Sequence, residues 1–531
     1  MAEVDEVAQL ADAILQATGY PAGTVRPVSE TGADIQLQLQ GSSTTWVLAV
    51  TNHACIGKLP EVSLVSPLKQ LAHVSFDGVV CVSDGQGLSI DYARMPEVKA
   101  HAACAALDIL EKAEVDATNG SFEFFDEVEG YWEGMPKALL ARSAVEVDAT
   151  SRKIYGHIQS NGHDSNCKYF SEYRGTAPSE FDTSKLTSIV GLYISIEQRV
   201  APPAPGEELT EDYLDRLIAS FGPAEKALWA EFISHRQSGR RLACLLVSQP
   251  RSSGVRSLVG LTFQVRGGQV IGKLKPLKIK RHSTEFMRVR GGASGQHGKT
   301  HVAVIGCGSV GSEIADALAS IGIGKLTLVD PDFFDVENVF RHALGKSAIG
   351  KSKVDALEAE LKSKYPGLEI AKHKGSASGW LKPGNIKDVS AVVIAVGQPT
   401  IERDYAKDLK KELPGIPVVV TWMEPLGLGG HVVALSPNGE GCLDCVYRDD
   451  ENQPCLHPSV SFIEPHQIVS RNLTGCIGTH VPYSALHSRR TALLATEVVM
   501  AQLEGDLAPV YTYWVGKDRM ATEAGIKTSS W

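Results

Sequence analysis

The stretch HVAVIGCGSVG, residues 301–311, decides the fold of the C-terminal part of this 531-residue chain. Its first five residues, four of them apolar, predict a short buried strand, and its three glycines follow at the spacing of a phosphate-binding loop. Residues 312–320 are then typical of a helix, and residues 325–329 of a second strand that ends at Asp330. Strand, loop, helix and strand, with an acid placed for a ribose hydroxyl, predict a nucleotide-binding α/β fold. The pattern alone also fits an NAD-dependent reductase.

Four polar residues that follow the second strand favour a different chemistry. They are Asp332, Asn338, Arg341 and Lys353. Hydride transfer has no need for an arginine and a lysine directly after the ribose acid. Attack on the α-phosphate of ATP does need them, because negative charge grows on the phosphate oxygens and on the departing pyrophosphate. The sequence therefore predicts an adenylating enzyme, with Arg341 and Lys353 as its catalytic cations.

From Arg290 to Glu504 the sequence resembles the ThiF/MoeB/ubiquitin-activating (E1-type) adenylation family. The resemblance implies ATP and Mg²⁺ as cofactors. It implies a nucleotide site built from Gly306, Gly308, Gly311, Asp330, Asp332, Asn338, Arg341, Lys353 and Arg290. The family usually has an Mg²⁺-binding Asp after the next strand, where this chain has Gly397. The metal is therefore expected to be held by Asp332, Glu402 or solvent.

Composition limits the classes of function. Charged residues make up 21% of the chain, hydrophobic residues make up 43%, and the net charge is −10. This is an ordinary globular composition, and the negative charge argues against nucleic acid as the main partner. No apolar run is long enough for a membrane span and no secretory leader is expected. Ten cysteines without regular spacing indicate a reducing compartment, so we expect a cytoplasmic protein.

Three domains are expected from the pattern of predicted elements. They are an N-terminal α+β domain (residues 1–149), an α+β middle linker or docking domain (150–285) and the C-terminal Rossmann-like α/β domain (286–531). The Pro-rich segment Ala201–Gly206 is interpreted as a linker and hinge. The lysine-rich run Gly272–Arg281 is interpreted as a solvated edge strand.

Cys81 is the first candidate nucleophile. It follows an Asp-Gly turn and two valines, ahead of a loop rich in Gly and Ser, a position that by itself also suits a buried strand residue. The segment from His73 through Asp77 to Cys81 resembles the active site of ubiquitin-conjugating (E2-type) enzymes. The resemblance is to bacterial forms fused ahead of a ThiF-like domain, and residues 127–132 fit the segment that follows in those fusions. It implies a UBC-like fold for residues 1–149 and a thioester on Cys81.

Cys476 is the second candidate nucleophile. It precedes a long predicted helix that begins near Tyr483, and the positive end of a helix favours the thiolate form of a nearby cysteine. It also falls where ThiF/E1-type proteins carry a thioester-forming or sulfur-relay cysteine. A buried core position or a zinc ligand are the alternatives.

Cys442 and Cys445 form a CxxC pair that suggests zinc. Related adenylating proteins bind structural Zn²⁺ through two such pairs, but this chain has no cysteine after Cys476. Cys455 and His457 would complete a tetrahedron only in an unusual arrangement. A reduced CxxC without metal is the more cautious interpretation.

Together these resemblances point to a bacterial E2–E1 fusion of the kind found in ubiquitin-like conjugation modules of antiphage defence, including CBASS. They imply that the carboxylate of a ubiquitin-like protein or of a cGAS-like nucleotidyltransferase is adenylated, passed to Cys476 and then to Cys81, and conjugated to a target lysine. They also imply a homodimer in which Arg290 completes the partner's ATP site. The alternative is a ThiF/MoeB-type sulfur-carrier adenylyltransferase with a non-catalytic N-terminal docking module.

Overall fold

The computed structural model of this chain describes residues 13, 22–27, 34–40, 43–51, 57–118, 123–161, 164–173, 187–234, 241–382, 385–437, 441–473 and 479–529. Cys476 lies outside these ranges, as do residues 4–18 apart from Ala13, where the sequence pattern predicts an opening helix, and Cys55, for which it predicts a core position. The chain divides into two compact units, Met1–Phe286 and Met287–Trp531. The second unit begins one residue beyond the start predicted for the C-terminal domain. Every helix in the described ranges is too short or too polar to cross a lipid bilayer.

The first unit begins with an antiparallel meander in the order β1-β2-β3-β4-β5. Its strands are β1 (Ala22–Pro27), β2 (Asp34–Gln40), β3 (Thr45–Thr51), β4 (Glu61–Ser66) and β5 (Val79–Val80). Alternate residues of β3 point to opposite faces, so Trp46, Leu48 and Val50 are all buried. Helix α1 (Met95–Thr118) packs on β3 and β4 through small alanines such as Ala102 and Ala106. The predicted UBC-like fold of this region stays a prediction.

Seven further strands of the first unit close into a barrel, in the order β10-β11-β12-β6-β8-β7-β9. They are β6 (Leu139–Ser143), β7 (Arg152–Asn161), β8 (Asp164–Ser171), β9 (Thr187–Ser195), β10 (Arg241–Pro250), β11 (Arg256–Arg266) and β12 (Gln269–Arg281). The helices are α2 (Glu123–Asp126), α3 (Val128–Glu133), α4 (Glu211–Ala219) and α5 (Pro223–Ser234). Strand β6 precedes the boundary predicted at residue 149, which stays a prediction.

Two local predictions for this unit are wrong. The lysine-rich run is not an edge strand, because β12 pairs with both β11 and β6 inside the closed barrel. The segment Ala201–Gly206 does not have the exposure expected of a hinge, since Pro202 and Pro203 are buried. The Tyr131 hydroxyl donates a hydrogen bond of 2.8 Å to the Pro203 carbonyl oxygen, and the Gln70 amide donates one of 3.0 Å to the Pro202 carbonyl oxygen.

The second unit is built on a seven-stranded sheet in the order β15-β14-β13-β16-β17-β18-β21. Its strands are β13 (His301–Ile305), β14 (Lys325–Val329), β15 (Glu369–His373), β16 (Ala391–Ile394), β17 (Val418–Met423), β18 (Gly429–Leu435) and β21 (Val510–Val515). The short strands β19 (Arg471–Asn472) and β20 (Thr479–His480) pair separately. Strands β13 to β17 are parallel, while β18 and β21 are antiparallel. The central strand β13 is buried throughout, as a strand covered on both faces must be.

Helices precede, connect or follow the strands of this sheet along the chain. They are α6 (Thr284–Arg290), which begins just before the unit boundary, α7 (Ser309–Ser320), α8 (Lys353–Lys364), α9 (Ala377–Trp380), α10 (Pro399–Glu412), α11 (Ala485–Leu503) and α12 (Arg519–Glu523). The order β13, α7, β14 confirms the predicted strand-loop-helix-strand unit. Because parallel strands end at the same sheet edge, the loops after β13, β14 and β16 share one edge, where ligands of such sheets bind.

Candidate active site

The loop between β13 and α7 is built so tightly that two of its glycines admit no side chain. Gly306 has φ +87°, and a Cβ there would lie 2.6 Å from the carbonyl oxygen of Ala395. A Cβ at Gly311 would lie 1.8 Å from the carbonyl oxygen of Gly306. Gly308 differs, because a Cβ there would meet nothing within 4 Å. Its position before the first turn of α7 leaves open space at a helix N-terminus, where backbone N–H groups favour a phosphate.

The carboxylate of Asp330 ties this loop to the segment after β14. It is buried, with 5% exposure. Its Oδ2 accepts a hydrogen bond of 2.6 Å from the Cys307 backbone N–H, and its Oδ1 accepts one of 2.8 Å from the Asp332 backbone N–H. Asp330 therefore orders the glycine loop before it meets any nucleotide. Burial, together with the nearby Asp330 charge, raises the pKa of the Cys307 thiol well above its ordinary value, so Cys307 is not a nucleophile.

Lys353 is held by Asp332, two residues after Asp330 in the chain. Its Nζ lies 2.8 Å from Oδ2 of Asp332, and its backbone N–H donates to the Asp332 carbonyl oxygen at 3.0 Å. The lysine is 8% exposed at the start of α8, whereas the Asp332 side chain is 64% exposed. A nearly buried ammonium group is thus paired with an exposed carboxylate at the open edge of the sheet, where it can meet a phosphate.

Arg341 reaches the same edge through an aromatic contact. Its guanidinium carbon lies 5.0 Å from the ring centre of Tyr483, within the range of a cation–π interaction. The Tyr483 hydroxyl lies 2.8 Å from Oγ of Ser309, the first residue of α7. Tyr483 therefore links Arg341 to the helix N-terminus that follows the glycine loop. The two predicted cations therefore both lie at the sheet edge where ligands of such sheets bind.

Asn338 and His342 order the segment that carries Arg341. The Asn338 side-chain oxygen accepts a hydrogen bond of 3.1 Å from the Asp335 backbone N–H, as part of a capping box around residues 336–338. His342 was not predicted. Its Nε2 donates to the Cys307 carbonyl oxygen at 2.8 Å, while its Nδ1 accepts from the Leu344 N–H at 3.0 Å. Burial lowers the pKa of His342 to about 4, so the ring is neutral. The only feature of the sequence that pointed to a role for His342 was its position directly after Arg341.

The two carboxylates considered for Mg²⁺ differ in their availability. Glu402 is buried, and its Oε1 accepts a hydrogen bond of 2.7 Å from the Gly397 backbone N–H. Burial raises the pKa of Glu402 to about 7, against the opposing effect of hydrogen bonds from the loop after β16. Asp332 is exposed and shares one oxygen with Lys353. Asp332 therefore fits a role as an Mg²⁺ ligand beside phosphate oxygens and water, and Glu402 does not.

The predicted zinc pair lacks a complete set of ligands. Sγ of Cys442 and Sγ of Cys445 are 3.2 Å apart, and both residues are exposed. Cys455 directs its thiol to the Gln453 carbonyl oxygen at 3.6 Å, and the His457 ring packs edge-on against His466. Within the described ranges, no group of three or more His, Cys, Asp or Glu side chains is arranged to hold a metal ion. Two thiols do not make a closed tetrahedral site, so these residues do not fit structural zinc.

Cys81 lies at the end of the meander in the first unit. It follows β5 directly, its thiol is exposed, and its backbone N–H donates to the His73 carbonyl oxygen at 2.8 Å. His73 has φ +60°, an uncommon value for a residue with a side chain. Glu127 fixes this conformation, because its Oε2 accepts from the His73 backbone N–H at 2.7 Å and its Oε1 lies 2.8 Å from Nδ1. On the other side of the ring, Nε2 lies 3.4 Å from Oε1 of Glu123.

Asp77 does not contact the His73 ring, and its Oδ1 instead accepts a hydrogen bond of 2.6 Å from the Ser75 hydroxyl. The carboxylate partners of His73 are therefore the two glutamates, which the sequence prediction missed. Arg290 is exposed in the last turn of α6. Cys476 lies within residues 474–478, which are outside the described ranges; the strands that precede and follow these residues, β19 and β20, pair with each other.

Residues 284–501 match the ThiF family. The chain is similar to the ATP-dependent ubiquitin transferase-like protein Cap2 of Pseudomonas aeruginosa (strain BWHPSA011 / Pa011), with 25% identity over 246 residues, or 45% of this chain and 42% of that protein. It is also similar to the adenylyltransferase and sulfurtransferase MOCS3 of Sus scrofa, with 27% identity over 175 residues, or 32% of this chain and 37% of that protein. The chain thus spans less than half the length of these relatives.

Among solved structures, the crystal structure of PaaA is similar, with 21% identity and a TM-score of 0.32 over 44% of this chain and 64% of that chain. The matched residues 284–501 contain the glycine loop, Asp330, Arg341 and Lys353, which the preceding geometry brings to one sheet edge. The C-terminal unit of this chain therefore carries a ThiF-family domain, with the adenylation fold that its glycine loop predicted.

Proposed function

We propose that the C-terminal unit uses ATP to activate the C-terminal carboxylate of a protein, which then becomes a thioester and is conjugated to an amine. The observation that supports this most directly is the convergence of Arg341 and Lys353 on the edge formed by the glycine loop and Asp330. Hydride transfer at a nicotinamide develops no negative charge on phosphate oxygens, so two cations at that position would not stabilise its transition state. A site that expels pyrophosphate gains transition-state stabilisation from both.

In the adenylation step, a carboxylate oxygen of the substrate forms a bond to the α-phosphorus of ATP, and the bond to pyrophosphate breaks. The N–H groups at the start of α7 and the cations Arg341 and Lys353 bind the phosphate oxygens as their charge grows. Asp330 holds the glycine loop in place, and its carboxylate binds the ribose. Mg²⁺, held by Asp332, phosphate oxygens and water, would neutralise part of the phosphate charge.

In the next steps, the Cys476 thiolate attacks the acyl-adenylate and releases AMP, which leaves a thioester. The Cys81 thiolate then displaces Cys476, and finally a lysine amine displaces Cys81 and leaves an amide. Cys81 suits this role because its thiol is exposed directly after a strand, beside a histidine that two glutamates orient. This environment differs from that of a buried core cysteine and from that of a cysteine in a disulfide.

The substrate that we propose is a ubiquitin-like protein or the C-terminus of a cGAS-like nucleotidyltransferase, in a cytoplasmic antiviral pathway of the CBASS kind. The relatives named ATP-dependent ubiquitin transferase-like protein support a protein substrate. We also propose a homodimer in which Arg290 completes the partner's ATP site. Three large apolar side chains on the segment that carries Arg341 support a protein contact there, since Phe333, Val336 and Phe340 are 67%, 62% and 94% exposed.

A sulfur-carrier adenylyltransferase is the second candidate, because the relatives named adenylyltransferase and sulfurtransferase match the same part of the chain. It uses the same adenylation but has no need for Cys81. The test is exchange of labelled pyrophosphate into ATP with the cognate protein present, followed by a non-reducing gel. Exchange with a thioester on Cys81 is the expected result. Exchange without any Cys81 adduct supports the second candidate, and NADH binding without exchange removes both.

A further inference from the structure

Cys442 and Cys445 are two exposed thiols that have no part in the proposed acyl relay. Their Sγ atoms lie 3.2 Å apart and share a hydrogen bond. A disulfide bond is about 2.0 Å long, so a shift of about 1 Å would join the two sulfur atoms. The Cys445 backbone N–H donates to the Cys442 carbonyl oxygen at 3.2 Å, so a tight turn already brings the two residues together. The pair, which does not fit structural zinc, is placed for reversible oxidation.

The turn that carries the two cysteines is fixed to the rest of the unit. Asp444, which lies between them, accepts a hydrogen bond of 2.8 Å from Nε of Arg403 and lies 3.1 Å from Nζ of Lys407, both on α10. The neighbouring side chains Leu443 and Tyr447 are buried. Both thiols are therefore held near each other before an oxidant arrives. Such proximity favours a bond between them over two separate adducts.

The surroundings of the pair give its two thiols different roles. The hydrogen bond with Cys442, together with burial, raises the pKa of the Cys445 thiol, against the opposing charge of Arg448. Cys445 therefore keeps its proton longer than an ordinary thiol does, and it suits the second step of an exchange. Because the thiolate is the form that attacks a disulfide, the first attack falls to Cys442, the other exposed thiol of the pair.

We propose that Cys442 and Cys445 form a redox-active dithiol that is oxidised by small disulfides of the glutathione class. The Cys442 thiolate bonds to one sulfur of oxidised glutathione, whose S–S bond breaks, and the first glutathione leaves. The Cys445 sulfur then bonds to Sγ of Cys442, and the second glutathione leaves. The protons of the two cysteines pass through solvent to the two departing thiolates. Two cysteine thiols are thus oxidised to one disulfide, while one glutathione disulfide is reduced to two thiols.

The test uses the full-length chain, freed of reductant and equilibrated with mixtures of reduced and oxidised glutathione. Free thiols are then alkylated, and trypsin releases the peptide of residues 412–448, whose only cysteines are Cys442 and Cys445. In mass spectra we expect this peptide to lose both alkylation sites together and to become two hydrogens lighter. Dithiothreitol should restore the alkylated form. Cys455→Ser, which replaces a half-buried thiol nearby in the chain, is the control and should behave as the wild type does.

Single variants test the order of the two thiols. Cys445→Ser should accumulate a glutathione adduct on Cys442, because the thiol that would displace it is missing. In Cys442→Ser, the adduct on Cys445 should form more slowly by roughly tenfold, since a protonated thiol is a poor nucleophile. Thermal unfolding of each variant confirms that it is folded.

Three results would overturn the proposal. The first is a peptide of residues 412–448 that stays fully alkylated at every glutathione ratio, or a cross-link of Cys445 to Cys455 in place of Cys442. The second is adduct formation at equal rates in the two single variants. The third is a protein that retains one equivalent of zinc on purification and whose Cys442 and Cys445 resist alkylation until a chelator is added.

Discussion

The Lys353 ammonium group lies 2.8 Å from Oδ2 of Asp332, two residues beyond the buried carboxylate of Asp330. This spacing places one carboxylate inside the loop and one at its surface. The Asp330 carboxylate accepts hydrogen bonds from backbone N–H groups, whereas the Asp332 side chain is exposed and binds Lys353. A bound phosphate would therefore compete with Asp332 for Lys353, and Asp332 would become free to meet Mg²⁺.

Replacing Lys353 by Ala should lower the rate of ATP–pyrophosphate exchange by about 10²-fold, because a cation that stabilises developing phosphate charge contributes a few kcal/mol. Arg341→Ala should act similarly. Lys351→Ala is the matched control, since Lys351 is an exposed lysine in the same loop. The measurement is exchange of labelled pyrophosphate with the cognate protein present. Unchanged exchange in Lys353→Ala and in Arg341→Ala would contradict the proposed adenylation.

Mixing two inactive variants tests the proposed dimer. An equal mixture of Arg290→Ala and Asp330→Ala should regain about a quarter of the wild-type exchange rate, because half of the dimers are hybrids with one intact site. A mixture of Lys353→Ala and Asp330→Ala is the control, since those two residues belong to one subunit's site. It should regain nothing. A monomer by light scattering, or equal rescue in both mixtures, would rule out a shared site.

The order of the two thiols can be read on non-reducing gels with ATP and substrate. Cys476→Ala should still release pyrophosphate but leave Cys81 uncharged. Cys81→Ala should accumulate a reductant-sensitive thioester on Cys476 and form no final conjugate. Cys104→Ala serves as the control in the same unit, because Cys104 is half-buried and desolvation raises the pKa of its thiol. Charging of Cys81 at the wild-type rate in Cys476→Ala would show that Cys476 is structural.

The buried Glu402 should make the C-terminal unit less stable as the pH rises. Burial raises the pKa of this carboxyl from its ordinary value of 4.5 to about 7. The stabilisation by its neutral form is complete below pH 4.5 and is lost as the pH rises to about 7. The loss is about 3 kcal/mol. Glu402→Gln keeps an acceptor for the Gly397 N–H but cannot ionise.

Calorimetry from pH 5 to pH 8 measures this effect. The melting temperature of Glu402→Gln should exceed that of the wild type increasingly as the pH rises. Glu412→Gln, at an exposed position on the same helix, should follow the wild type at every pH. Parallel curves for Glu402→Gln and the wild type would mean that Glu402 is ionised throughout this range.

Local patterns predicted the second unit well because its fold depends on contacts close in sequence. The glycine loop, its flanking strands and Asp330 lie within 30 residues, and the glycine spacing reports a backbone constraint directly. His73 meets Glu127 across 54 residues, and nothing in either segment specifies that pairing. Barrel closure joins β12 to β6 across still greater separations.

The two wrong predictions for the first unit have a common cause. Alternating lysines on β12 were interpreted as an edge strand, yet a closed barrel also has one solvated face, so the alternation does not distinguish the two. The prolines of residues 201–206 indicated a linker and hinge, but Pro202 and Pro203 are buried and accept hydrogen bonds from Gln70 and Tyr131. In both cases the local sequence pattern was identified correctly, but the tertiary structure around it was predicted wrongly.

Helix α3 determines how Cys81 can travel in the proposed relay. The Trp132 indole N–H donates to the Gly260 carbonyl oxygen of the barrel, and Glu129 binds Arg251 and Arg281 there. These contacts fasten the meander, which carries Cys81, to the barrel. In the proposed relay, Cys81 therefore moves together with the whole first unit and not on a short flexible segment. Rotation of so large a body is slowed by solvent friction. Acyl transfer should therefore slow in viscous buffer while adenylation does not.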